Sequence, residues 1–512
     1  MKPIACAGLI LLAFAAGARA QDEPHEHPAP EKLGVVSFAT TCAPASKARF
    51  DRAVALLHSF AYSAADDAFR EVETADPRCA MARWGRAMTY FHQLWEPAVS
   101  SVGLQKGRAE LEAIPASGET SARESEYIAA LSLVFWAADA VPMATRIQNY
   151  ADAMGALASR HNEDSEAQVF YALALLATAP PDDKSHRNQK KAAELLEALY
   201  LQQPEHPGIV HYLIHAYDNA ELAPRGLAAA RAYASLAPSA PHALHMPSHI
   251  FTRLGMWSDS IRSNLAARAA AHAQGDIGEE LHAMDYLVYA YLQSGRTMEA
   301  AAVIAQLRDM PALRIQDFKV GYAATAMPVR YAVERQEWAE SARSIAGDGA
   351  PPHVAAIAAW ARALGDARGG NPQAAKAEVD TLRALEDKLQ LSGNKYWAGQ
   401  VHIQLLEASA WLAQAEGKAD EASALLRSAA DEEDAIEKLP VTPGPIVPAR
   451  EQLGELLLKQ GHPRQALTEF ESSLTATPGR RGGLAGALRA AQLSGDREKE
   501  RMYRQSLEQA VN

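Results

Sequence analysis

A surplus of basic residues is missing from this chain: 62 acidic residues face 50 basic ones, for a net charge of −12. A protein that held nucleic acid through phosphate contacts would carry the opposite balance, so that class is disfavoured. Glycine and proline are not in excess, with 31 and 28 among 512 residues, and the hydrophobic fraction is 48%. Disordered and collagen-like chains are thereby ruled out, and several domains' worth of buried core becomes affordable. Past the first twenty residues no apolar run reaches the ~18 that a membrane-spanning helix needs. Motifs of common enzymes are absent as well. There is no His-Glu-x-x-His, no Gly-x-Ser-x-Gly elbow and no phosphate loop ending in Gly-Lys-Ser/Thr. Gly479-Arg480-Arg481-Gly482-Gly483 follows no strand and reads as a loop, not a dinucleotide fingerprint.

Residues 1–20 have the form of a secretory signal. Lys2 is the positive start, Ile4 to Ala16 the apolar middle, and Ala18-Arg19-Ala20 the small-x-small cleavage site. Removing Lys2 and Arg19 with this leader leaves 492 residues at −14. The expected location is the periplasm or the exterior. Of the three cysteines, Cys6 departs with the leader. Cys42 and Cys79 remain, and an exported chain with an even count favours a disulfide over two free core thiols. Such a bond would close a loop of about 38 residues, worth roughly 3–4 kcal/mol by loop entropy.

From about residue 44 onward apolar residues recur at helical spacing, Ala, Leu, Glu and Arg dominate, and β-branched runs are rare. Helix stops recur at Asp76-Pro77, Gln203-Pro204, Ala237-Pro238, Leu439-Pro440 and Thr477-Pro478. Pro204 and Pro238 lie 34 residues apart, as do Pro207 and Pro241. In 447–480, Leu453-Gly454, Leu457, Gly461, Ala466, Phe470 and Pro478 fall at repeat spacings, and Ala53, Ala65, Phe69 and Pro77 take the same places in 46–79. Further partial units start at Leu254-Gly255 with Trp257 and Ile261, and at Gly295 with Glu299 and Ala300. On these residues the chain resembles the tetratricopeptide-repeat family, of a secreted bacterial type. The resemblance implies an all-α, right-handed superhelical solenoid of roughly a dozen antiparallel helix pairs, because one pair cannot bury its apolar face alone.

The expected organisation is a leader at 1–20, an N-terminal arm at 21–43, a solenoid at 44–347 and further helical repeats at 348–512. The glycine- and proline-rich stretch at 347–352 separates the last two. The arm, with His25-Glu26-His27 and an apolar stretch Leu33 to Phe38, is either disordered or laid along the solenoid.

Histidine is concentrated where nothing in the composition requires it. Of 17 in the chain, six lie within 206–249: His206, His211, His215, His242, His245 and His249. His211 and His245 are 34 residues apart, and so are His215 and His249, which places equivalents on neighbouring inner helices. Each pair is spaced i, i+4, with Cβ atoms about 5–6 Å apart on one face. Helices packed about 8–10 Å apart would set these four residues at the corners of a rectangle. An imidazole plus a Zn–N bond of about 2.0–2.1 Å spans from corner to centre.

His211, His215, His245 and His249 are therefore the expected metal ligands, with zinc or copper favoured over magnesium or calcium, and nickel also compatible. By the resemblance, Asp218, His242, His282 and Asp285 face the same concave groove, where the family grips its ligands. Asp218 and Asp285 are the expected partners of the imidazoles. Pro247 should kink or restart its helix beside the cluster. A purely structural hydrogen-bond network is the alternative reading of the central cluster. His58, His92, His186, His272, His353, His402 and His462 read as ordinary solvated or core histidines, with His58 and His92, 34 residues apart near the ends of the first two inner helices, as candidates to extend the groove's polar lining.

The expectation for function is an exported scaffold whose groove binds a transition metal or a metal-bearing or polar ligand through these histidines. Binding, not chemistry, is its primary task. The rival is a metal-free scaffold whose acidic groove holds a protein or peptide partner. A third reading, a metal-dependent hydrolase, needs an open coordination position and a base from Asp218, Glu279 or Glu280.

Overall fold

Long alanine- and leucine-rich segments with no competing β-branched runs form helices in succession, and no strand occurs among the described residues of this computed structural model. The structure describes residues 31–509 apart from 95–98, 115–119, 137, 139 and 312. The leader, Cys6 and His25-Glu26-His27 lie outside the described residues. All five helices expected to stop at proline end two to five residues ahead of it, at Ala75, Tyr200, Leu236, Ala435 and Ala476.

The helices pair as the repeat pattern requires. Lys47–His58 packs on Tyr62–Ala75, Pro207–Tyr217 on Ala223–Leu236, Ile277–Gln293 on Thr297–Asp309, and Ala449–Lys459 on Pro463–Ala476. The small residue between partners has a steric cause. A Cβ added at Gly454 would lie 2.8 Å from the Phe470 ring, so only glycine admits that approach. Successive pairs bury each other's apolar faces and build a tetratricopeptide-like superhelical solenoid. Where the repeat pattern is weak, lengths depart from it. Lys395–Ala415 has 21 residues, and the outer helix Trp338–Ser341 has only four.

Residues from Lys32 onward belong to one compact unit, and the 347–352 stretch lies inside it. The C-terminal repeats reach back to the middle of the chain. Trp257 Nε1 donates to the Gly479 carbonyl at 3.0 Å, Arg481 N donates to Gln293 Oε1 at 2.9 Å, and the Arg480 guanidinium bridges Glu334 and Glu451. The proline-rich segment 439–448 returns to the same inner helices. There the Tyr286 hydroxyl lies 3.3 Å and 3.2 Å from the Pro440 and Thr442 carbonyls.

The described part of the arm is laid along the solenoid. Val35 N donates to Glu205 O at 2.8 Å, and Phe38 is buried between Phe50, Trp84 and Tyr127. Cys42 and Cys79 form the expected disulfide, which ties the arm's end to the start of helix Ala80–Met88.

Candidate metal centre

Three consecutive inner helices carry the histidines: Pro207–Tyr217, then Pro241–His245 continued by Pro247–Arg253, then Ile277–Gln293. Proline 247 does restart its helix, taking the first position of the second piece, where its missing N–H costs nothing. Met246 at the junction keeps right-handed helical angles, so the turn is preserved and His245 and His249 remain on one face. All six rings, those of His211, His215, His242, His245, His249 and His282, are buried.

The rings do not converge on the centre of a four-cornered rectangle. They form two triads. His211, His215 and His242 bring one ligand atom each within 4.8 Å of one another, and so do His245, His249 and His282. Each triad takes the i, i+4 pair of one repeat and a single histidine from the start of the next. His242 and His282, expected only to line the groove, thus belong to the triads themselves. Between the triads the His215 and His249 ring centroids are 6.0 Å apart.

Within each triad the nitrogens approach closely. His211 Nε2 lies 3.1 Å from His215 Nε2 and 3.2 Å from His242 Nε2, while His245 Nε2 lies 3.0 Å from His249 Nε2. Behind them, the opposite nitrogens are committed as donors. His211 Nδ1 is 2.6 Å from the His58 carbonyl, which only accepts. His242 Nδ1 donates to Glu279 Oε2 at 3.1 Å, and His249 Nδ1 to Asp218 Oδ2 at 2.8 Å. His245 Nδ1 donates to Asn264 Oδ1 at 2.6 Å, an oxygen because the Asn264 amide donates to Ser260 O.

The consequence concerns lone pairs. In the neutral rings of His245 and His249 both protons sit on Nδ1, so two bare Nε2 atoms face each other at 3.0 Å. His211 and His242 present the same opposition at 3.2 Å. Burial, reinforced by neighbouring imidazoles, pushes His211, His215, His245 and His282 well below the ordinary histidine value. For His249 burial also dominates and lowers it to about 4, although Asp218 pulls the other way. Protonation is thus a costly way to separate the lone pairs. A cation between them is the other way.

Carboxylates behind the rings are held ionised. Burial alone would raise Glu279, but Lys319 and His242 more than offset it and keep it well below the carboxylate range. Asp218 behaves likewise under Lys438, Arg253 and His249, with Lys438 Nζ and Arg253 Nε each 2.9 Å away. These commitments bear on the hydrolase expectation, because neither Asp218 nor Glu279 is free to act as base. Glu280 is taken too, by His272 at 3.1 Å.

Asp285, expected to back an imidazole, does not. Its nearest charge is Arg330, Nε to Oδ1 3.5 Å, and burial raises it to about 6. The helical turn from His282 to Asp285 aims it at the next inner helix, which carries Arg330.

Aromatic residues absent from the sequence reading close both triads. Phe60 lies over the first, with centroids 4.5, 5.8 and 5.4 Å from His211, His215 and His242. It holds φ at 54°, a conformation unfavourable for a bulky side chain. Tyr286 lies over the second, 4.7, 5.0 and 5.3 Å from His245, His249 and His282. Phe60 is distant in sequence and carries no motif. Tyr286, four residues after His282, was within reach of an i, i+4 argument.

A third group provides contrast. His58 Nε2 and His206 Nε2 each lie 2.9 Å from Glu166, one on each oxygen. His58 Nδ1 meets the Tyr212 hydroxyl at 3.0 Å, and His206 Nδ1 accepts from Ile209 N at 3.3 Å. Every ring nitrogen here has a hydrogen-bond partner, which fits a structural network. His92 Nε2 donates locally to Thr89 O at 2.9 Å and its ring stacks on Tyr62 at 4.1 Å, apart from the triads.

No protein-family model matches this chain, and no curated protein matches it. Among solved structures it is similar to a monomeric mutant of IFIT1 with m7Gppp-AAAA, at 11% identity and a TM-score of 0.37, over 84% of this chain and 90% of that one. It is also similar to yeast Tom70, at 12% identity and a TM-score of 0.33, over 87% and 88%. Those scores leave the function to be argued from the site.

Proposed function

We propose that this protein is an exported tetratricopeptide-like scaffold that binds two transition-metal ions, zinc or copper, one in each histidine triad. One observation carries the reading: rings whose Nδ1 protons are fixed on acceptors turn bare Nε2 atoms toward each other at 3.0–3.2 Å. Ligand nitrogens around a tetrahedral ion with bonds of about 2.0–2.1 Å stand ~3.3–3.4 Å apart, nearly this spacing. Neutral imidazoles are the ligating form, and the groups behind them fix the tautomer as metal sites require. Three protein ligands leave each tetrahedral ion one further position. Export is supported by the leader-like first twenty residues and by the Cys42–Cys79 bond. Segment 439–448 covers the inner helices at the triads, which supports metal binding there over an extended peptide.

Elemental analysis of the purified protein tests this. Two equivalents of zinc or copper per chain are expected. His211→Ala and His249→Ala should each retain one, and the double variant none. A folded wild type that takes up no more metal than the double variant would end the proposal.

A further inference from the structure

A large cavity lined by none of the triad histidines lies behind the 439–448 segment. It has a volume of about 580 Å³ and is walled by helices Pro352–Gly369, Lys395–Ala415 and Ala419–Ala435 together with Thr442 to Pro448. That size falls within the ~300–1,000 Å³ of small-molecule sites. Trp397, Gln404 and Glu407 follow one another along a single face of Lys395–Ala415 and line it over roughly 15 Å of helix, at ~1.5 Å per residue.

Its lining is polar where a core should not be. His353 Nε2, Trp397 Nε1, Gln404 Oε1 and Ser473 Oγ are buried atoms without a hydrogen-bond partner, and all four residues line this one cavity. Trp397 is only 6% exposed, so solvent at the surface does not satisfy it. Unpaired buried groups cost about 1–3 kcal/mol each, and gathering them around one space points to an occupant that pairs them.

Charge narrows the occupant. The cations on the wall are already taken: Lys438 and Arg253 by Asp218, Lys184 by Glu437, and Arg450 by Asp431, Asp434 and Glu469. Two carboxyl groups are left without a cation. Glu407, 3% exposed, accepts from the Gln452 amide at 2.7 Å and has the Trp360 indole beside it, and Glu433 accepts from Ala449 N at 2.9 Å. Burial and the nearby Glu433 push Glu407 well above the carboxylate range, and burial takes Glu433 to about 8, as for acids waiting for a counter-charge. Indole and phenol faces, which attract cations, flank them through Trp360, Trp397, Tyr322 and Tyr396.

We propose that this cavity binds a small organic amine, its ammonium group at Glu407 and Glu433, its apolar body along the indoles, and its own oxygen accepting from an indole N–H. The site is separate from the histidine triads and does not depend on metal in them. Calorimetry on the full-length mature protein, with and without chelator, tests it using tyramine, the neutral tyrosol and the anionic 4-hydroxyphenylacetate. Tyramine should bind in both conditions, at least tenfold tighter than tyrosol, and the anion should not bind. Glu407→Gln should weaken tyramine at least tenfold. Trp397→Leu, at the other end of the cavity, should weaken it several-fold, so that a folding defect in one variant leaves the other informative. No tyramine binding by folded wild type, equal binding of the three compounds, or indifference to both substitutions would overturn the proposal.

Discussion

Asp218 joins three elements at one carboxylate. It accepts from His249 Nδ1, Arg253 and Lys438, so the second triad's geometry and the anchoring of 438 share a residue. Asp218→Asn is expected to weaken the second-triad ion about 10–100-fold, the usual cost of losing a carboxylate behind a ligand histidine, with the first triad unaffected. Competitive metal titration reads this directly, and equal loss at both triads would contradict it. Glu166 provides the control, because it serves His58 and His206 in a network with no bare nitrogen. Glu166→Gln should cost about 1–3 kcal/mol in denaturant unfolding and leave metal stoichiometry unchanged.

At the level of elements, the helix pair is the unit that the repeat pattern specifies. Gly454 faces Phe470 across such a pair, and Gly454→Ala would put a methyl group 2.8 Å from that ring. The cost should be about 1–3 kcal/mol, measured as a lower unfolding midpoint with unchanged metal content; a neutral result would mean the pair tolerates wider spacing. The same pattern made the inner helices and the i, i+4 histidine pairs readable in the sequence, since both follow from a 34-residue period and 3.6 residues per turn. Equal spacing suggested a rectangle. What spacing omits is direction: His242 and His282 enter from the start of the following repeat, and side-chain aim is set by the partners behind each ring. Asn264 and the His58 carbonyl supply such partners from an outer helix and a distant repeat, where no period links them to the histidines. Asp285 shows the converse, a residue in register whose side chain is taken by Arg330.

For the whole molecule, the 439–448 segment and the C-terminal repeats fold back on the central inner helices, so the solenoid encloses its chemistry. The same closure partly buries Glu433. Its value of about 8 in the folded state exceeds the ~4.3 of a free side chain, so the folded protein binds the extra proton between those limits. Stability from this group is therefore present at low pH and falls as pH rises toward 8. Between pH 5 and 8, in amine-free buffer, wild type should lose more thermal stability than Glu433→Gln; parallel pH profiles would show that the carboxyl group is solvated in the folded state. Closure also gives the two triads a shared, buried setting, with rings of opposite triads 6.0 Å apart. Anomalous diffraction from crystals of the metal-loaded protein, recorded at the zinc or copper edge, locates the ions directly. Two peaks are predicted, one among His211, His215 and His242 and one among His245, His249 and His282; a single peak between the triads, or none, would contradict the account.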